Sequence, residues 1–309
     1  MKGSGLALNL TEKSRRSIAF YLMISPWFVV FVLFSLYPLF YGLYLSFTNY
    51  IGLNLQTARW VGLQNYKNVF TDSDALYALG RTVMLTAVYV PISTLVGLLL
   101  AVLLNQNVRG VGIYRTIFYL PSIVPLVSAA LMWKMMYANQ TGILNVALKP
   151  LGMPSVNWLS YDYATMSLII TLIWASGSGI LINLAGLKGI SKELYEAASI
   201  DGAPALSRFV RITLPMMSPI LFFNVIMGII HTLQLYILPI LLSGNDLLMA
   251  PIRPNYVYVV HAFQQVFAFQ RFAYGMALLW VLFTVILLMT LVVFRSSRYW
   301  VHYEMEQEE

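Results

Sequence analysis

The sequence predicts an all-α integral membrane protein with six transmembrane helices and both chain ends on the cytoplasmic side. Three observations carry this reading. Of the 309 residues, 59% are hydrophobic and only 10% are charged, whereas soluble domains carry about 25% charged residues. With a mean hydropathy of +0.73, the chain has too little polar surface to cover a soluble fold, so the surplus apolar surface is meant for lipid. Apolar runs near the ~20 residues that cross a bilayer recur along the chain. Basic residues sit at the ends of these runs, as the positive-inside rule requires.

The first run, 18–47, follows Lys13, Arg15 and Arg16. It is too long for the ~7–15-residue apolar core of a secretory signal and is read as a retained anchor. Pro26 and Pro38 are expected to kink it or to mark where it leaves the membrane. Tyr37, Tyr41, Tyr44, Phe47 and Tyr50 at its far end suit headgroup depth. Further spans are predicted over 82–104, 113–137, 163–187, 218–242 and 272–294, with cytoplasmic tails over 1–17 and 295–309 and a long cytoplasmic loop over 188–217. A seventh candidate, 257–269, carries His261, Gln264 and Gln265 and is assigned to the outer surface or interface, which keeps the number of spans even.

Orientation follows from counting. Of the 19 Lys and Arg residues, seven (Arg59, Lys67, Arg81, Lys134, Lys149, Arg253 and Arg271) fall on the side opposite the N-terminus and twelve on the N-terminal side, which makes that side cytoplasmic. The net charge of +7 therefore reflects membrane topology, not nucleic-acid binding. The absence of cysteine excludes disulfides, thiolate metal sites and a cysteine nucleophile. His231, His261 and His302 show no HExxH spacing, so no metal site is expected. The chain contains no Gly-Lys dipeptide, hence no phosphate-binding P-loop and no ATP hydrolysis of its own by that route.

The least apolar interior stretch is the 188–217 loop, and loops of this length in compact folds tend to be functional. Its residues 191–215 read SKELYEAASIDGAPALSRFVRITLP. Ser191 suits a helix N-cap, Leu194, Ala197 and Ala198 make an apolar stripe, and Gly202 stands where a helix needs a left-handed stop. Pro204 then suits the first turn of a second short helix, in which Phe209 and Ile212 share a face and which Pro215 is expected to end. On pattern alone such a segment fits an amphipathic connector on the lipid surface or a docking surface for a partner protein.

The order of residues is more specific. Glu196-Ala197-Ala198, three residues, Gly202, nine residues and Ile212-Thr213-Leu214-Pro215 resemble the EAA loop of binding-protein-dependent ABC importer permeases at every position. Gly62-Leu63-Gln64-Asn65-Tyr66, Arg109-Gly110 with Arg115-Thr116, Leu120-Pro121, Asn157-Trp158-Leu159 and Ala185-Gly186-Leu187 are likewise similar to the carbohydrate-type permeases of this family, on the side of the maltose and glycerol-phosphate first subunits. Two departures stand out: Arg81, where the family usually has Asn, and Leu242-Ser243-Gly244-Asn245-Asp246 in place of a Gly-Gly-Pro ending.

The resemblance implies the type I importer permease fold and a non-enzymatic transport subunit in a bacterial inner membrane, moving a sugar or oligosaccharide by alternating access. It implies partners as well: cytoplasmic ATPase subunits that hold ATP and Mg²⁺, a second homologous permease and an extracytoplasmic solute-binding protein. By resemblance, Glu196, Ala197, Ala198, Asp201, Gly202, Ile212, Leu214 and Pro215 form the ATPase-coupling segment. Glycerol-phosphate or another small polar solute is the alternative cargo, with Arg81, Arg253 and Arg271 as the available cations; a membrane-embedded enzyme is a distant third reading.

For the path itself, Asn224, His231 and Gln234 on the fifth span are spaced to share one stripe with Gly228. Trp174, Ser176, Ser178 and Asn183 make a similar case on the fourth. Polar groups in a span avoid lipid, so these stripes face other helices or a water-filled path; interhelical hydrogen bonding would explain them equally well.

Overall fold

The computed structural model describes residues 12–106, 109–244, 248 and 251–302. The tail before Glu12, the acidic end beyond His302 and Asn245-Asp246 lie outside the described residues.

The first helix, α1 (Glu12–Ser46), starts before the predicted boundary and runs through both prolines as one helix. A π turn over Val32–Leu36, closed by the Tyr37 N–H on the Val32 carbonyl, precedes Pro38. A proline ring clashes with the carbonyl four residues earlier, and the wider turn makes room for it. The outer segment returns through the Thr48–Trp60 bridge to α2 (Gln64–Thr71). There Asn65, from the Gly-Leu-Gln-Asn-Tyr stretch, is buried and its Nδ2 donates to the Ser46 and Thr48 carbonyls at 2.8 and 2.7 Å.

Asp72 caps α3 (Ser73–Leu104), its Oδ1 accepting from the Asp74 and Ala75 N–H groups. This helix begins earlier than the predicted 82, because the cap and not the hydropathy sets its start. The third span is not one straight helix. It consists of α4 (Val111–Ile123) and α5 (Leu126–Met136), bent by 103° at Val124-Pro125. Pro125 forces Val124 into extended backbone (ψ 129°), as a residue before proline prefers.

After a short α6 (Ile143–Leu148), the fourth span is likewise broken, into α7 (Ala164–Ala175) and α8 (Gly177–Gly189), bent by 47° at Ser176. A Cβ on Gly177 would collide with the Phe118 carbonyl, so glycine lets α8 approach α4. The loop helix is α9 (Lys192–Ile200).

The following helix, α10 (Ala205–Leu233), corrects two expectations. It does not end at Pro215: a π turn over Phe209–Thr213, with the Leu214 N–H on the Phe209 carbonyl, again accommodates the proline. Nor does it run to 242. It stops at Leu233, residues 234–236 are not helical, and α11 (Ile237–Ser243) resumes after them. Within the stretch assigned to the 188–217 loop, residues from Ala205 onward are therefore already helical and continuous with α10.

Then come α12 (Tyr258–Phe267) and α13 (Phe272–Ser297). The α12 segment is packed into the protein: Tyr258, Val260, His261, Ala262, Gln264, Gln265 and Val266 are buried, against α13 and α3. His261 and Gln264 have side-chain partners outside the helix, which periodicity cannot reveal.

Helix α3 packs against both α8 and α10. Two apolar cores result. One, with Leu85, Val90, Tyr137, Leu168, Leu233 and Leu238, lies toward the α3 N-terminus. The other, with Leu98, Leu104, Ile180, Leu187, Met217 and Leu221, lies toward the α9 loop. Trp300 stacks edge-on against Phe222, and the His302 N–H donates to Ser218 Oγ at 2.8 Å, which puts the described end of the chain on the side of the α9 loop.

Candidate functional site

Between the two cores lies a cavity of about 750 Å³, within the range of about 300–1,000 Å³ usual for small-molecule sites. Three helix breaks meet in it. Ser122 and Leu126 flank the α4–α5 bend, Ser176, Ser178 and Gly179 the α7–α8 bend, and Gln234, Leu235 and Tyr236 occupy the gap between α10 and α11. Non-helical backbone at membrane depth is tolerated where it lines a polar cavity or is buried in protein.

Asn183, Asn224, His231 and Gln234, predicted from two different spans, all reach this cavity. The Asn224 Nδ2 donates to Asn183 Oδ1 at 2.8 Å, tying α10 to α8. Asn183 is 1% exposed, and Gly97 of α3 leaves the room: a Cβ there would lie 3.2 Å from Asn183 Nδ2. Gly228 also lines the cavity, but Gln234 lies just past the end of α10. Trp174 is not brought to this cavity. It packs edge-on against Trp133, with ring centroids 5.8 Å apart, and is half-buried against the core toward the α3 N-terminus. Tyr89, Ser93 and Gly97 of α3 also line the wall. Sequence reasoning passed over them, although their spacing of four is the helical signal that could have found them.

The second candidate surface is the α9 turn. Ser191 Oγ accepts from the Glu193 N–H at 3.2 Å. At the other end Gly202 takes φ +70°, the Gly202 N–H donates to the Ser199 carbonyl and the Ala203 N–H to the Ala198 carbonyl at 3.1 and 2.9 Å. This is a Schellman stop, which satisfies the last carbonyls of the helix. Glu196, Ala197, Asp201 and Gly202 are exposed, and Ala198 is half-buried. Leu194, Ile200 and Leu206 are exposed as well. Ile212, Leu214 and Pro215 belong to α10 instead, and Ile212 packs on the core toward the α9 loop. The two parts are braced: Tyr195 and Thr213 hydroxyls lie 2.8 Å apart and Arg208 Nη1 donates to Ser199 Oγ at 2.7 Å.

The three cations considered for an anionic cargo lie elsewhere. Arg81 donates through Nε and Nη2 to the Pro254 carbonyl and through Nη2 to Thr165 Oγ1. Arg253 pairs with Asp74 at 2.8 Å, and Arg271 lines a separate polar pocket beside Asn68 and Asp72. The same end of the molecule holds a buried polar cluster. His261, 1% exposed, has Nδ1 2.8 Å from Tyr256 Oη and Nε2 3.4 Å from Asp72 Oδ2. Burial, opposed by Asp72 and Asp74, holds its imidazole below the ordinary value. Burial alone would raise Asp72, but the bonds from Tyr274 Oη and the Ala75 and Asp74 N–H groups outweigh it and hold the carboxyl below its usual value. Burial pushes the Tyr256 phenol up to about 12, so its hydroxyl keeps the proton it donates to Gln264 Oε1.

The fold matches solved importers. A chain of a bacterial alginate ABC transporter, determined in complex with an alginate pentasaccharide-bound periplasmic protein, superposes with a TM-score of 0.81 at 22% identity, covering 93% of this chain and 96% of that one. In sequence, the chain is 36% identical over 315 residues, all of both proteins, to the probable ABC transporter permease protein YesP of Bacillus subtilis. It is 34% identical to the trehalose/maltose transport system permease protein MalF of Thermococcus litoralis, over 77% of this chain and 81% of that protein. It is 30% identical to the arabinooligosaccharides transport system permease protein AraP of Bacillus subtilis, over 90% of this chain and 88% of that protein. Residues 93–301 match the family model for the binding-protein-dependent transport system inner membrane component, a stretch that holds the cavity residues other than Tyr89, the α9 turn and the whole of α10; this multi-pass membrane protein is a permease of that family.

Proposed function

We propose that the chain is the permease subunit of an ATP-driven importer that carries a sugar or oligosaccharide across a bacterial inner membrane by alternating access. The observation that carries the coupling is α10: one unbroken helix leads from the exposed α9 turn to Asn224, His231 and the cavity. A push on α9, transmitted through the Tyr195–Thr213 and Arg208–Ser199 braces, is thereby a push on one wall of the cavity. Saccharide cargo is supported by the names of the relatives and by a wall of carboxamides, hydroxyls and aromatic rings, groups that hydrogen-bond and stack on sugars.

The α9 surface, with exposed Leu194, Ile200 and Leu206 around Glu196 and Ala197, suits a groove on a cytoplasmic ATPase subunit, which would hold ATP and Mg²⁺ since this chain has no P-loop of its own. Closure of the ATPase pair would then switch the permease between inward and outward openings. A second permease is the partner within the membrane: the apolar window of α1 is wholly uncovered in the single chain. A solute-binding protein would deliver the cargo on the opposite face.

The test is co-purification of the tagged chain from its native membrane. Recovery of an ATPase and a second permease is expected, together with loss of the ATPase in Gly202→Asp and Glu196→Lys while membrane insertion persists. Normal ATPase recovery with normal uptake in Gly202→Asp would refute the coupling role.

A further inference from the structure

Resting on the saccharide-import reading, we infer that the cargo is uncharged, and that this chain's wall of the cavity rejects uronates, sulfonated sugars and sugar phosphates. Among the described residues lining the cavity there is no Asp, Glu, Lys or Arg. The polar groups are carboxamides (Asn183, Asn224, Gln234), hydroxyls and one imidazole, His231. An ionised group taken out of water needs an opposite charge or a dense set of donors, and without them it is strongly disfavoured.

The nearest candidate cation on the same helix is Arg81, eight residues before Tyr89 on α3 and hence about 12 Å away along the axis. Its guanidinium is already engaged by Pro254 and Thr165. Arg253 is neutralised by Asp74, and Arg271 faces the other pocket. The wall can read hydroxyls but carries no Lys or Arg to pair with a carboxylate, sulfonate or phosphate.

The test uses the full complex reconstituted in proteoliposomes with its own binding protein and ATP inside. Uptake is followed for neutral malto-, arabino- and galacto-oligosaccharides and for oligogalacturonates of matched length. At least one neutral series is expected to enter about a hundredfold faster than any oligogalacturonate, the scale set by leaving a buried charge unpaired. The Gln234→Arg variant, which places a cation on the wall, is expected to narrow that ratio at least tenfold. Oligogalacturonate uptake equal to or faster than neutral uptake in the native complex overturns the inference alone, as does a ratio unmoved by Gln234→Arg. ATP-dependent uptake of neither class overturns the saccharide reading and this inference together.

Discussion

Two residue pairs show how much a single side chain is worth in this fold. Asn183 is buried and its carboxamide oxygen is met by Asn224. Asn224→Leu leaves that oxygen unpaired, at a cost of about 1–3 kcal/mol, whereas the Asn183→Leu/Asn224→Leu double variant should recover most of the loss. Thermal denaturation of the two variants checks this, and sugar uptake should fail in both if the pair belongs to the cargo path. His261 supplies a pH effect. Its imidazole is held low by burial, so below its ordinary value of about 6.5 the unfolded chain takes up a proton before the folded one does. Stability is then lost as the pH falls from about 6.5 toward the native value. The melting midpoint of the purified chain should decline across that window, and His261→Gln should flatten the decline. Asp72, also held low, contributes its stability above the ordinary carboxylate range of about 4 and loses it only in stronger acid. The pairing of His261 with Asp72 was not legible in the sequence, because 189 positions separate them and only the packing of α12 on the start of α3 brings them together. The carboxamides of α8 and α10 were legible, since a polar residue inside an apolar span is visible by contrast.

At the scale of elements, proline decides where helices bend and where they continue. Val124-Pro125 turns the third span through 103°, while Pro38 and Pro215 are absorbed by π turns that lie just ahead of them. The sequence reading took Pro215 as a helix end, because the rule for proline concerns the α-helical hydrogen bond and a π turn sidesteps it. The consequence is mechanical. Pro215→Ala restores an N–H and removes the clash, so the turn can rewind to α geometry and rotate the cavity side of α10 against α9 by about 100°, one residue's worth of helix. Uptake should drop sharply in this variant while the ATPase still co-purifies, which separates transmission from docking. Unchanged uptake would mean the π turn has no part in coupling. At the α9 stop, Gly202→Ala should cost about 1 kcal/mol through its positive φ and leave ATPase recovery close to normal, since a Cβ there meets open space.

At the scale of the whole molecule, the arrangement can be tested without altering the protein's background chemistry. The chain has no cysteine, so single cysteines label cleanly. Lys192→Cys at the start of α9 and Met153→Cys beyond the third span should react with an impermeant maleimide from opposite sides of sealed vesicles; labelling of both from one side would overturn the orientation. The sequence by itself determined the all-α membrane class and the Ser191-to-Gly202 helix, and it predicts the side on which that helix lies. These follow from composition, from charge at the ends of apolar runs and from caps that act within a few residues of themselves. Only the tertiary structure decided that three spans break at one cavity, that α12 is buried, that Trp174 belongs to the core and that the arginines are engaged away from the path. Those outcomes depend on which helices lie side by side, and hydropathy carries no record of neighbours because lipid and a packed helix face ask for the same apolar residues.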